Sequence, residues 1–201
     1  MSALRVVAAA CALALVALLA PSGAAAKQPT PAEAVALLRG GGFILYFRHA
    51  ATDFGQNDAQ MTSFEDCSTQ RNLTDRGRDD ARALGAAIRA LAIPIGQVRA
   101  SPYCRTVETA TLAFGRAEKT QAVRGGPAQP DTPDRYAALR KLLAQPPSRG
   151  VNDVIVSHGN PFVALAGPPY LAEGEAAVVA PEKDGFRVVA RIKVDEWAAA
   201  Q

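Results

Sequence analysis

Two stretches of the chain are apolar at every position, and each ends on a histidine. FILYF, residues 43–47, runs into Arg48-His49, and VIV, residues 154–156, runs into Ser157-His158. A strand with one face in water alternates apolar and polar residues, whereas a strand buried on both faces does not. Two such runs constrain the chain to a sheet covered on both sides. The chain has only two histidines. Chance does not favour finding both at the same station, just past the end of a buried strand.

The segments between these strands read as helices. TPAEAVALLRGGG offers Thr30 as a cap, Pro31 at the first helical position, Glu33 to complete a capping box and Gly40 to Gly42 as a stop. LTDRGRDDARALGAAIRALAI sets Ala81, Leu84, Gly85, Ile88 and Leu91 on one stripe, with charges opposite. SPYCRTVETATLAF predicts a helix capped by Ser101 with Pro102 first inside it, and TPDRYAALRKLLA repeats that start at Thr132-Pro133. NPFVALAG opens another, with Asn160 as cap and Pro161 at the first position. GQVRAS reads as a short strand, and AAVVAPEKDGFRVVARI as two strands about a Lys-Asp-Gly turn that add an antiparallel edge.

Alternating strands and helices predict an α/β fold, a three-layer α/β/α sandwich with a mostly parallel central sheet. Ligands of such sheets bind beyond the carboxyl ends of the strands. Arg48, His49, Arg105 and His158 all fall there.

The first residues belong to a different argument. MSALR, VVAAACALALVALLA and PSGAAA follow the basic, apolar and small-residue order of a secretory signal peptide, with Ala24-Ala25-Ala26 at the cleavage rule. The apolar run spans residues 6–20, too short for a membrane-crossing helix of ~20 residues. Residues 1–26 are therefore expected to be removed, leaving one domain over 27–201, periplasmic or secreted, with no stable membrane insertion. Losing Arg5 takes the net charge from +3 to +2, too mild and dispersed for a nucleic-acid partner. Cys67 and Cys104 remain. An even count in an oxidising compartment predicts a disulfide between them, with separate buried thiols as the alternative.

Two guanidiniums and two imidazoles beside helix N-termini make a site for a dianionic oxyanion, foremost phosphate. The arginine fork donates paired hydrogen bonds to phosphate oxygens. A neutral histidine nitrogen can attack phosphorus, and a second histidine, protonated near neutral pH, can hold the equatorial oxygens. The expected chemistry is two in-line displacements, with His49 taking the phosphoryl group and water removing it. Two histidines more than a hundred residues apart, without HxH, HExxH or paired cysteines, give no metal-ligand spacing.

Arg48-His49, SPYCRTVETA and VIVSHGNP, in that order, resemble the motifs of the histidine phosphatase superfamily, the phosphoglycerate-mutase-like fold. The resemblance covers about residues 42–192 and includes the LTDRGRDDARALG helix. It implies an exported bacterial phosphomonoesterase acting on a small phosphorylated substrate without metal or other cofactor. It also implies that His49 is the nucleophile and that Arg48, Arg105 and His158 bind the phosphoryl group.

The chain departs from the family pattern in places. Ala50 stands where the first motif usually has glycine, and a methyl fits there if φ is negative. Gly159 stands where the acid-phosphatase and phytase branch has an acidic residue after its second histidine. The segment between the arginine motif and the second histidine is too short for a mutase and offers Asp131 and Asp134, of which Asp131 is assigned as general acid. Thr52 is assigned to the substrate pocket, Glu108 to orienting Arg105, Asp153 to a structural role, and Glu173 and Glu175 to a solvated turn. Because this fold can bind without turning over, a non-catalytic phosphate- or phosphosugar-binding or sensing protein is the alternative.

Overall fold

The computed structural model describes residues 28–125 and 134–200. The segment read as a signal peptide and the assigned acid Asp131 lie outside the described residues. In chain order the elements are α1 (Pro31–Arg39), β1 (Ile44–Arg48), α2 (Asp75–Ala90), β2 (Ile95–Ala100), α3 (Cys104–Phe114), β3 (Glu118–Lys119), α4 (Ala137–Ala144), β4 (Asn152–Ser157), α5 (Gly159–Ala166), β5 (Ala176–Glu182), β6 (Gly185–Ile192) and α6 (Glu196–Ala199).

The strands form one six-stranded sheet in the order β3-β2-β4-β1-β5-β6. β1 and β4 lie parallel at its centre, with Ile44 opposite Asp153 and Arg48 opposite Ser157. β2 and β3 continue the parallel half, while the β5–β6 hairpin adds the antiparallel edge.

Successive side chains of β1 explain the unbroken apolar run. Leu45 and Phe47 enter a core formed with Val35 and Leu38 of α1, Leu84 and Ile88 of α2, and Trp197 of α6. Ile44 and Tyr46 enter a second core, with Leu139 and Leu143 of α4 and Phe162 of α5. Helices thus cover both faces, and the three-layer architecture follows. Emptying such a site, as in Phe47→Ala, typically costs about 3–5 kcal/mol.

The local signals behave as read at α1, where Thr30 and Glu33 form the capping box, and at α2, whose predicted stripe is buried throughout. Gly85 on that stripe is needed for close approach, since a Cβ there would lie 2.1 Å from the Ala113 carbonyl oxygen of α3. Three helix starts differ from expectation: α4 begins at Ala137 after Tyr136, and the Thr132-Pro133 start expected for it lies outside the described residues. α3 begins at Cys104 after Tyr103, because the Ser101 carbonyl accepts the Thr106 hydroxyl at 2.7 Å and the Ser101 side chain is used elsewhere. α5 begins at Gly159 with His158 as its N-terminal boundary, which places Asn160 and Pro161 inside the helix. Among the described residues no helix is long and apolar enough to cross a membrane.

Candidate active site

The site is assembled where β1 and β4 stop. The sheet carries one residue further on β1, since the His49 amide donates to the Ser157 carbonyl at 3.0 Å. The two imidazoles then face each other edge to face, ring centroids 5.5 Å apart, and both are buried.

His49 Nδ1 lies 2.9 Å from the Ala50 carbonyl oxygen. A carbonyl can only accept, so this contact puts the proton on Nδ1 and leaves the Nε2 lone pair free. Burial pushes the His49 pKa down to about 3, and the guanidiniums of Arg105, Arg48 and Arg71 add to that effect against the Ala50 contact. The ring is a neutral base with its reactive nitrogen bare. Ala50, whose φ is not positive, accepts its methyl without strain.

His158 differs from expectation. Its Nε2 sits 2.8 Å from Ser101 Oγ, and its pKa is held well below the ordinary value by burial, then by His49, Arg105, Arg71 and Arg48. In the unliganded site it is neutral rather than protonated, because three neighbouring guanidiniums oppose a fourth positive charge. Its backbone carbonyl accepts from Tyr46 Oη at 2.7 Å, which anchors the turn into α5.

The arginines are held from behind. Arg105 Nη1 and Nη2 grip Asp58 in a paired contact at 3.0 and 3.1 Å, and its Cζ lies 4.3 Å from the Tyr103 ring centroid. Its Nε is buried and bonds to nothing in the protein. The end of the fork is therefore engaged while the Nε side remains available. Arg48 is arranged alike, with Nη1 donating to the Leu171 carbonyl at 2.9 Å and Nη2 to Glu173 Oε1 at 3.3 Å. Arg71 joins them from the loop before α2. Its amide donates to Asp58 Oδ1 at 2.9 Å, its carbonyl accepts from Arg105 Nη1 at 3.3 Å, and its Nε is buried without a partner. With both histidines neutral, three guanidiniums against Asp58 and Glu173 leave one net positive charge.

Arg48, His49, Arg105 and His158 are thus brought together. Thr52 is adjacent but committed, its hydroxyl donating to Glu173 Oε1 at 2.6 Å and its amide to Oε2 at 3.2 Å. It braces Glu173 and has no side-chain donor to spare. Glu173 is correspondingly no solvated turn residue, and Glu175 is buried against Arg191 at 2.8 Å. Glu108 pairs with Arg78 at 2.7 Å instead of orienting Arg105. Asp153 is structural as read, accepting from the Gln97 amide at 2.9 Å. Asp58 and Arg71 were not singled out in the sequence. The usable signal was the inward placement of Arg105 itself, since a buried guanidinium requires a counter-ion.

Cys67 and Cys104 are bonded, with Cα atoms 5.7 Å apart. A cavity of about 650 Å³ beside that bridge is lined by Phe64, Val107, Glu108 and Arg78 and contains neither histidine. Among the described residues no group of three or more His, Cys, Asp or Glu is placed to hold a metal ion.

The model of the histidine phosphatase superfamily (branch 1) matches residues 44–125, a span that holds Arg48, His49 and Arg105. Over that span the chain is similar to the histidine phosphatase superfamily. The protein histidine phosphatase SixA in complex with tungstate is 20% identical, with a TM-score of 0.52 over 77% of this chain and 98% of that one. Mycobacterial glucosyl-3-phosphoglycerate phosphatase with inorganic phosphate is 16% identical, with a TM-score of 0.53 over 77% and 99%. A mutant phosphoserine phosphatase from Entamoeba histolytica with phosphoserine is 12% identical, with a TM-score of 0.51 over 74% and 95%. At these identities the likeness is one of fold. No curated protein matches the chain.

The matched span ends before His158. The second histidine enters through the sheet, because the parallel register of β1 and β4 sets Ser157 beside Arg48.

Proposed function

We propose that the protein is an exported, metal-independent phosphomonoesterase that works through a phosphohistidine on His49. The observation that carries this reading is the Nδ1 contact to Ala50, which leaves a neutral Nε2 beside three guanidiniums. In the first step the Nε2 lone pair forms a bond to phosphorus, the bond from phosphorus to the ester oxygen breaks, and that oxygen takes a proton from the general acid. In the second, water attacks phosphorus and gives a proton to the now deprotonated acid, the phosphorus–nitrogen bond breaks with its electron pair returning to Nε2, and inorganic phosphate leaves.

The free Nε side of Arg105, the Arg48 guanidinium and the His158 ring take the equatorial oxygens, where charge develops. Asp58 and Glu173 are both occupied as acceptors from guanidiniums, which supports Asp131 as the proton donor. Thr52 serves the site through Glu173. The Cys67–Cys104 bridge and the n-, h- and c-region order of residues 1–26 support a periplasmic or secreted location, where a disulfide persists. The three neighbours' names carry different substrates, so the physiological ester is not implied by the fold.

Rapid quench with ³²P-labelled 4-nitrophenyl phosphate tests the reading. Acid-labile, base-stable label should appear on the protein within the first turnover, vanish in His49→Ala, and be indifferent to a chelator. Normal turnover by His49→Ala, or a metal requirement, would overturn it. A non-catalytic phosphate-binding protein would bind phosphate and never acquire label.

A further inference from the structure

Three large hydrophobic side chains are exposed among the described residues: Leu37, Phe54 and Tyr170. Leu37 lies on α1, and the other two stand against arginines of the site. Arg71 Cζ is 4.8 Å from the Phe54 ring centroid, and Arg48 Cζ is 5.2 Å from that of Tyr170. Arg48 directly precedes His49, and Arg71 meets Asp58 and Arg105 of the same cluster, so each ring lies on an arginine of the site.

The loops that carry the rings are joined to each other. Thr52, two residues before Phe54, hydrogen bonds through its hydroxyl and its amide to Glu173, three residues after Tyr170. Tyr170 is fixed as well. Its hydroxyl donates to Asn160 Oδ1 at 2.6 Å, and its ring lies on the turn after His158, where a Cβ on Gly159 would come within 2.0 Å of it. The position that carries an acid in the other branch is thus reserved here for the passage of an aromatic ring. Phe54 has one side on Arg71 and remains 71% exposed, so it offers an open apolar face.

We infer that Phe54 and Tyr170 form the leaving-group subsite, selecting phosphate monoesters whose alcohol carries a flat apolar ring. Its role in turnover rests on the phosphatase reading above; its binding preference does not. A phosphoryl group held by Arg48 and the Nε side of Arg105 would direct the ester oxygen outward between the two loops, where such a ring meets Phe54 and Tyr170. One or two aromatic contacts of this kind are worth about tenfold in affinity.

Calorimetry on the chain without residues 1–26 tests this with benzylphosphonate, ethylphosphonate and inorganic phosphate as probes. Benzylphosphonate should bind about tenfold tighter than ethylphosphonate, in keeping with the aromatic contacts invoked. Phe54→Ala and Tyr170→Leu together should bring the two phosphonates within about twofold, while Phe54→Ala alone keeps its affinity for inorganic phosphate. Equal affinities in the unmodified protein, or a benzyl preference that survives both substitutions, would overturn the subsite. Steady-state rates on benzyl and ethyl phosphate separate the two claims. Hydrolysis without benzyl preference removes the subsite and leaves the reaction; benzylphosphonate preference without hydrolysis of any ester does the reverse.

Discussion

The ends of β1 and β4 and the loops that close over them are built by different means. At the strand ends the backbone itself fixes the chemistry. Arg48 is in register with Ser157, the His49 amide is paired with the Ser157 carbonyl, and the Ser101 amide with that of Val156 at 2.9 Å. The loop over residues 53–72 has almost no ladder and is held by side chains. Gln70 Nε2 donates to the carbonyls of Phe64 and Asp66, its Oε1 accepts from the Cys104 amide, and Asp58 ties Arg71 to Arg105. A backbone ladder tolerates almost any side chain that fits, whereas a loop held by side chains changes shape when one is replaced. In this molecule His49, the proposed nucleophile, sits on the first kind of support, and the counter-ions and rim sit on the second. The groups that set rate and the groups that set selectivity can therefore be altered separately.

The sharpest test of that separation compares Arg105→Ala with Asp58→Asn. Arg105→Ala deletes a donor aimed at developing charge and should lower kcat on an aryl phosphate by about 10²–10³-fold. Asp58→Asn leaves the guanidinium in place with a neutral acceptor behind it. The difference between a charged and a neutral hydrogen bond puts its loss on the order of tenfold. Equal losses in the two variants would mean that the loop carboxylate is part of the reaction, and the separation would fail.

The same division decides what could be read in advance. β1 and β4 announced themselves through unbroken apolar runs, α1 through its cap, α2 through its stripe, and Arg48, His49, Arg105 and His158 through their positions, while β3 and α6 gave no signal that was read. Glu173 gave no such signal. It meets Arg48 from 125 residues away, and nothing periodic distinguishes one loop carboxylate from another. Glu108 misled for a related reason. Helical spacing sets it three residues from Arg105, but its side chain reaches Arg78 on α2, while Arg105 turns inward to Asp58. Ser101 looked like a helix cap because Pro102 follows it, and its hydroxyl is spent on His158. In each case a long-range polar contact outcompeted a local rule.

The disulfide is the covalent part of the side-chain-held loop, and its removal should cost the loop more than the strand ends. Closing a loop with a sequence separation of 37 is worth about 2–4 kcal/mol on the chain-entropy view. Cys67→Ser with Cys104→Ser should lower the urea unfolding free energy by that amount and raise KM more than it lowers kcat. Thiol titration of the denatured, unreduced chain lacking residues 1–26 should find no free thiol. Two free thiols, or a double variant with unchanged stability, would show that the loop is held without the bridge.

The last test probes the strand ends alone. His49 is held at about 3 by burial, and His158 is also held well below the ordinary value, while in the unfolded chain both should titrate near 6.5. Below that value the unfolded state binds protons that the folded state refuses, so stability falls with pH. The histidine contribution is fully present above pH 6.5 and is lost progressively as pH falls toward the folded values. Between pH 7 and 5 His49 should take away about 2 kcal/mol, with a limiting slope of about 1.4 kcal/mol per pH unit, and His158 acts in the same direction. The chain has only these two histidines, and carboxylates titrate lower, so little else contributes in that window. Urea unfolding across the range should show a shallower slope in His158→Ala and a slope near zero when His49→Ala is added. Saturating inorganic phosphate should flatten it too, because a bound dianion favours the protonated ring. A slope that survives loss of both histidines would place the pH sensitivity in the loops and break the comparison from the other side.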